Sequence, residues 1–179
     1  LVSGPHANTG NGLVTSVPGD DERMDIILPL IKQHGAAMIA LPNDETGNPE
    51  TAKERLHIVE KIRRSVERHG IPLNDLVIDP LAMTVGADPE AVRITLDAVY
   101  QIRKRHGLNM TMGASNVSFG LPNRHAVNAA FLPMAMAMGL TSAVMDARTP
   151  EIVTSVRASD LLLRSYLWGA NWISRFCRE

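Results

Sequence analysis

Short apolar runs alternate with longer amphipathic stretches along this chain. Leu13–Val17, Ala36–Leu41, Leu76–Ile78, Met110–Ala114 and Ser142–Met145 are each bounded by Pro, Gly, Asn, Ser or Asp. Runs so short, punctuated in this way, read as buried strands. Between them the apolar residues fall at helical spacing: Met24, Ile27, Leu28 and Ile31; Leu56, Val59, Ile62 and Val66; Val92, Leu96, Val99 and Ile102. A fourth helical segment starts near Asn123, and a fifth, opening at Thr149-Pro150, is expected to bury Ile152, Val153, Val156 and Leu163. Lys53, Glu60, Lys61, Arg64 and Glu67 mark the solvated side of the second helix. Repeating strand–helix units imply an α/β fold with a parallel sheet. About five units are present, as an open doubly wound sheet or as part of a (β/α)8 barrel; periodicity alone leaves both open.

The helix ends carry their own chemistry. Asp20, Asp21 and Glu22 place negative charge on the first turn of the first helix, where the macrodipole favours it. Thr51 and Glu54 have capping-box spacing. Asp88-Pro89 reads as an N-cap followed by proline at the first helical position. Gln33-His34-Gly35, Arg68-His69-Gly70 and Arg105-His106-Gly107 read as C-terminal caps, with glycine in the left-handed conformation and a cation or imidazole at the negative helix end. These histidines therefore lie on the face opposite the strand ends. Pro29, inside the first helix, predicts a kink or a late start, since an interior proline costs ~3 kcal/mol.

At 179 residues, 45% apolar and 21% charged, the composition is that of a globular domain. Residues 1–11 are irregular, and the domain is read as 12–179. A net charge of −1 gives no electrostatic case for nucleic acid or an anionic membrane. No apolar run approaches the ~20 residues of a membrane span. The lone Cys177 rules out an intrachain disulfide framework and a cysteine-based zinc site, and together with the missing signal peptide it makes the cytoplasm the expected location. Tyr166, Trp168, Trp172 and Phe176 crowd the tail. The last three are spaced as one helical stripe, which packs on the body or forms a dimer or partner surface.

Candidate chemistry gathers at the strand ends: Thr15 and Ser16, Asn43 and Asp44, Asp79, Ser115 and Asn116, then Asp146. In parallel α/β folds ligands bind there. No phosphate-binding glycine motif, nucleophile elbow or metal-ligand spacing accompanies them. A flat, nitrogen-rich heterocycle does fit. The Asp79 carboxylate matches two adjacent N–H donors, such as the 2-amino and N3 edge of a pterin. Asn116 offers both a donor and an acceptor to a ring nitrogen. Arg124 is placed to hold a glutamate tail or the loop itself, and His125 is a surface residue of a first helical turn.

The segments GASNVSFGLPNR and AFLPMAMAMGLTSAVMDA, with LVIDPLAMTVGADPEA, AAMIALPNDETGNP and LVTSVPGDDER upstream, resemble the methyltetrahydrofolate:corrinoid methyltransferase family. Its pterin-binding domain recurs in cobalamin-dependent methionine synthase. The resemblance implies a (β/α)8 barrel, here its C-terminal part beginning near the fourth strand, without the family's G-E-R-I-N, D-x-N and D-S strand ends. It implies that Asp79 binds the pterin ring, that Asn116 is the catalytic residue at N5, that Arg124 lies near the substrate and that Val144 lines the site. Thr15 stands where the family usually has a pterin-reading Asn, and it cannot reproduce the amide's paired donor and acceptor. Pro133 departs from the pattern too.

The resemblance further implies methyl transfer between N5-methyltetrahydrofolate or tetrahydrofolate and cobalamin (a corrinoid) carried by a partner protein. A homodimer is expected, with no metal, nucleic acid or membrane. The rival readings are a dihydropteroate synthase-like enzyme, which the lack of a Ser-Arg-Lys element at the Ser115-Asn116 strand end argues against, and a non-catalytic partial barrel serving as an assembly partner or remnant.

Overall fold

The computed structural model describes residues 12–45, 47–163 and 169–176. The irregular segment 1–11, Tyr166, Trp168 and Cys177 lie outside them. Strands β1 (Leu13–Pro18), β2 (Ala37–Leu41), β3 (Leu76–Ile78) and β4 (Asn109–Met110) form one sheet in the order β1-β2-β3-β4. All pairs are parallel, and Val17, Ala40, Ile78 and Met110 share one row across it. Helices α1 (Asp21–His34), α2 (Ala52–Arg68), α3 (Ala91–His106), α4 (Arg124–Met138), α5 (Pro150–Leu162) and α6 (Ala170–Phe176) follow.

Strand order decides between the two architectures. Right-handed crossovers between successive neighbours, with no reversal of order, put every helix on the same side of the sheet. Burial agrees: Met38, Ala40, Leu76 and Ile78 are fully covered, while the alternate residues Ala37, Ile39, Leu41, Val77 and Asp79 are only half-buried. A doubly wound sheet would cover both faces equally. A one-sided sheet with a half-open inner face is a sector of a barrel.

Part of the helix-end chemistry behaves as its spacing predicts. Asp20 caps α1 through Arg23 N, and the Thr51–Glu54 capping box is complete in both directions. Gly35, Gly70 and Gly107 are all left-handed, and His69 Nδ1 lies 2.8 Å from Ser65 O. His106 instead reaches across to Glu60 of α2 at 3.5 Å. Trp172 and Phe176 pack ring to ring at 4.5 Å on α6.

Several expectations need correction. Residues 142–145 are not a strand: Ser142 and Val144 donate to Met110 O and Met112 O, but no ladder is completed, so the sheet has four strands among the described residues. β4 spans two residues rather than five, because the chain turns into a 3-10 helix at Ala114–Ser118. Helix α3 starts at Ala91; Asp88 caps the preceding turn instead, accepting from Glu90 N. Helix α1 starts on time despite Pro29, and α4 likewise continues through Pro133. Glu60 is half-buried rather than solvated, bonded to Arg63 and Arg64 beside His106. Val92 and Leu96 are half-buried, and so are Val153 and Val156. Leu163 is exposed. A cleft of about 630 Å³ remains between α4, α5 and residues 140–147.

Candidate active site

The carboxyl edge of the sheet is where the backbone departs from easy conformations. Among the described residues the non-glycine positions with positive φ are Ser16, Leu81 and Asn123, in β1, just after β3 and just before α4. Such residues persist only where their surroundings over-determine them, and they concentrate at functional sites.

Asp79 follows β3 directly, and its N–H continues the sheet by donating to Ala40 O at 2.9 Å. By strand alternation it shares the inner face with Val77. Its Oδ1 accepts from Leu81 N at 2.9 Å. Burial pushes its carboxyl above the usual range, while the Leu81 bond and the Arg55 charge pull it back. Arg55, on α2, is 3% exposed. Its Nη1 donates to Pro80 O at 2.9 Å and Leu81 O at 2.7 Å, with Thr95 Oγ1 at 3.4 Å. No ion pair joins Arg55 and Asp79, so the carboxylate remains available to a ligand.

Beside it, the chain after β4 coils through the 3-10 turn Ala114–Ser118, with Asn116 exposed. A Cβ on Gly113 would sit 3.2 Å from Asn116 Nδ2, so glycine leaves room for that amide. Arg124 Nε donates to Ser118 Oγ at 3.0 Å and Nη2 to Ser115 O at 2.8 Å, bonds that brace the loop. Its guanidinium lies 5.7 Å from the Phe119 ring centroid. Two bonds tie this loop to the one after Asp79: Thr84 Oγ1 to Phe119 O at 2.7 Å and Val85 N to Val117 O at 3.0 Å.

The other expected positions fare differently. Val144 is placed alongside by its bond to Met112 O, with its side chain 65% exposed. Thr15 is not at a strand end. It lies inside β1, where the register with β2 slips between Val14 and Val17 and Ser16 is left-handed. Such bulges re-aim side chains near sites. Asp146 is engaged by Arg148 through both carboxylate oxygens, which holds it down at about 2, and is no free member of the cluster. His125 is exposed in the first turn of α4. The Asn43 side-chain oxygen is buried without a hydrogen-bond partner, an acceptor that a ligand or water donor would satisfy. Among the described residues no group of three His, Cys, Asp or Glu side chains is arranged for a metal ion. None of the described helices is long and apolar enough to cross a membrane.

Sequence reasoning missed Arg55. The signal was present: it precedes Val59, Ile62 and Val66 by four, seven and eleven residues, which puts a cation in the buried stripe of α2.

Comparison with known proteins bears on this geometry. The sequence profile of the pterin binding enzyme family matches residues 6–146. A methylcorrinoid:tetrahydrofolate methyltransferase of Eubacterium limosum is 30% identical over 171 residues, covering 94% of this chain and 60% of the relative. The chain thus spans about three-fifths of that protein's length. Methionine synthase of Mycobacterium tuberculosis is 33% identical over 137 residues, 72% of this chain and 12% of that enzyme. Among solved structures, Yersinia pestis dihydropteroate synthase superposes with a TM-score of 0.63 at 15% identity, covering 90% of this chain and 67% of the other. The same enzyme with a pterine–sulfa conjugate gives a TM-score of 0.64 at 14% identity, with 90% and 63% covered. At such identity the likeness speaks for the fold alone: a (β/α)8 pterin-binding barrel, of which this chain carries a part.

Proposed function

The chain belongs to the pterin-binding enzyme family, and from that premise we propose that it carries the pterin-reading wall of a methyltransferase acting between tetrahydrofolate and a corrinoid protein. The observation that carries this reading is the joining of the Asp79 turn and the Asn116 loop at the carboxyl ends of adjacent strands. The chain's likeness to the methylcorrinoid:tetrahydrofolate methyltransferase of Eubacterium limosum supports this reading.

Each side chain has a task set by its chemistry. The Asp79 carboxylate accepts two parallel N–H bonds from the amino-pyrimidine edge. Asn116 serves N5. As the N5–methyl bond breaks its electron pair stays on nitrogen, so a proton there lets the folate depart as a neutral amine. An amide that turns its oxygen toward protonated N5 stabilises that state in the transition state. A corrinoid held by a separate protein supplies, when bound, the nucleophilic cobalt that takes the methyl group. The exposure of Asn116 and Phe119 at the mouth suits approach by such a partner. Val144 lines the ring, Thr15 contacts it through one hydrogen bond, and Arg124 shapes the loop beneath Asn116.

Calorimetric titration of the intact protein with methyltetrahydrofolate tests the reading. Binding is expected in the parent and lost in Asp79→Ala and Asn116→Ala. Equal affinity in all three proteins would sink it.

A further inference from the structure

Arg55 breaks two local rules at once. It is buried, and it sits in the first turn of α2, where the positive end of the helix macrodipole repels a cation. A guanidinium so placed is costly unless its surroundings satisfy it. Departures of this kind from local preference are expected where function demands them.

What satisfies it is the turn that carries Asp79. One nitrogen, Nη1, takes Pro80 O and Leu81 O, with Thr95 Oγ1 at the edge of range, and Thr95 Oγ1 itself donates to Leu81 O at 3.1 Å. Nε reaches Pro49 O at 3.4 Å. Leu81, caught between these donors, is held at φ 64, a conformation that costs a non-glycine residue ~1–2 kcal/mol. That conformation accompanies the bond from Leu81 N to Asp79 Oδ1. The chain of contacts runs from α3 through Thr95, through the α2 guanidinium, to the Leu81 backbone and so to the carboxylate.

We infer that Arg55 is a positioning residue for ring recognition: by clamping Pro80 and Leu81 it fixes the Asp79 carboxylate in the orientation that reads the pterin edge, and it does so without consuming the carboxylate. A direct Arg55–Asp79 pair would occupy the oxygens that the ligand needs. The clamp leaves Oδ2 free and Oδ1 bonded only to Leu81 N, while keeping a positive charge behind the carboxylate that counters the effect of burial on Asp79. The inference rests on the pterin reading of Asp79, so its test has one arm with ligand and one without.

The ligand arm is calorimetry with tetrahydrofolate on the intact protein. Arg55→Met is expected to weaken binding at least about tenfold, ~1.4 kcal/mol. Arg55→Lys is expected to recover most of that, because the acceptors converge on one nitrogen and an ammonium has three donors. The ligand-free arm is amide hydrogen exchange at Leu81 followed by NMR. Exchange should accelerate at least tenfold in Arg55→Met and return toward the parent rate in Arg55→Lys. Should Arg55→Met fail to fold, Thr95→Val removes one member of the clamp and should show both effects at about threefold. A folded variant with parent affinity and a protected Leu81 amide overturns the inference. So does lost affinity that Arg55→Lys fails to rescue while Leu81 stays protected. If the parent binds no tetrahydrofolate, the pterin reading has failed, and Leu81 exchange alone still decides whether Arg55 clamps the turn.

Discussion

The two rims of the sheet are built on different principles. At the amino-end rim every described left-handed residue is a glycine, with Gly35, Gly70, Gly107 and Gly139 following helix ends; His69 folds back on Ser65 O, and Lys32 Nζ reaches Gly70 O from α1. At the carboxyl-end rim, left-handed backbone falls on Ser16, Leu81 and Asn123 as well as on Gly47 and Gly120. There the turns are held by groups far away in sequence, Arg55 on Pro80 and Leu81, Thr84 on Phe119. One rim takes its left-handed turns on glycine; the other also takes them on residues with side chains, and at Leu81 distant groups hold the conformation. In parallel barrels the carboxyl-end rim is where sites are built, and the amino-end rim bears on stability.

Breaking each rim should therefore fail in a different measurement. The largest effect is expected from Asn116→Ala, with methyl transfer to a corrinoid protein slowed about 100- to 1000-fold, the scale of one lost transition-state hydrogen bond. Unfolding free energy should move by less than about 0.5 kcal/mol, as for other exposed positions. Absorbance of the cobalt reads the first quantity and urea titration the second; a large stability loss with normal transfer would reverse the contrast. Next, Gly139→Ala at the end of α4 would put a Cβ 2.6 Å from Arg103 Cγ at φ +108, at a cost of about 2–3 kcal/mol with folate affinity unchanged. Gly107→Ala meets open space, so only the left-handed backbone is penalised, about 1 kcal/mol by the same titration.

The smallest effect sharpens the comparison by pH. Arg63 and Arg64 hold Glu60 down at about 2, below its ordinary 4.5. A carboxylate with a depressed folded-state pKa contributes stability that is present above the ordinary value and lost as pH falls through the depressed one. Glu60→Gln should thus reduce stability by up to about 1 kcal/mol above pH 4.5 and flatten the acid limb between there and about 2. Thermal melts across that range check it. Equal acid limbs in the two proteins would show that Glu60 contributes nothing to folding.

The same contrast explains what could be read from the residues alone. The capping box at Thr51–Glu54 and the glycine caps were legible because each partner lies within a few positions. Asp79-Pro80 and Ser115-Asn116 stand out in the sequence because polar residues end apolar runs there. The Arg55 clamp was hidden by separations of 25, 26 and 40 residues to its acceptors. The slip in β1 beside Thr15 depends on register with β2, which no pattern within β1 encodes. Residues 142–145 have the composition of a strand, yet strand status requires a completed ladder with neighbours, and their backbone bonds stop at Ser142 N to Met110 O in β4 and Val144 N to Met112 O just after it.

The bonds from Thr84 to Phe119 and from Val85 to Val117 give the site its mechanics. They join two excursions of chain into one hoop, so the Asp79 wall and the Asn116 wall cannot breathe independently. Opening either means breaking both bonds, each worth roughly 1 kcal/mol. Residues 82–86 and 116–121 should then exchange their amide hydrogens with a common opening free energy, and separate values would show two free flaps. A stiff hoop also loses little freedom when a flat ring enters, so affinity here would come from preorganisation more than from closure.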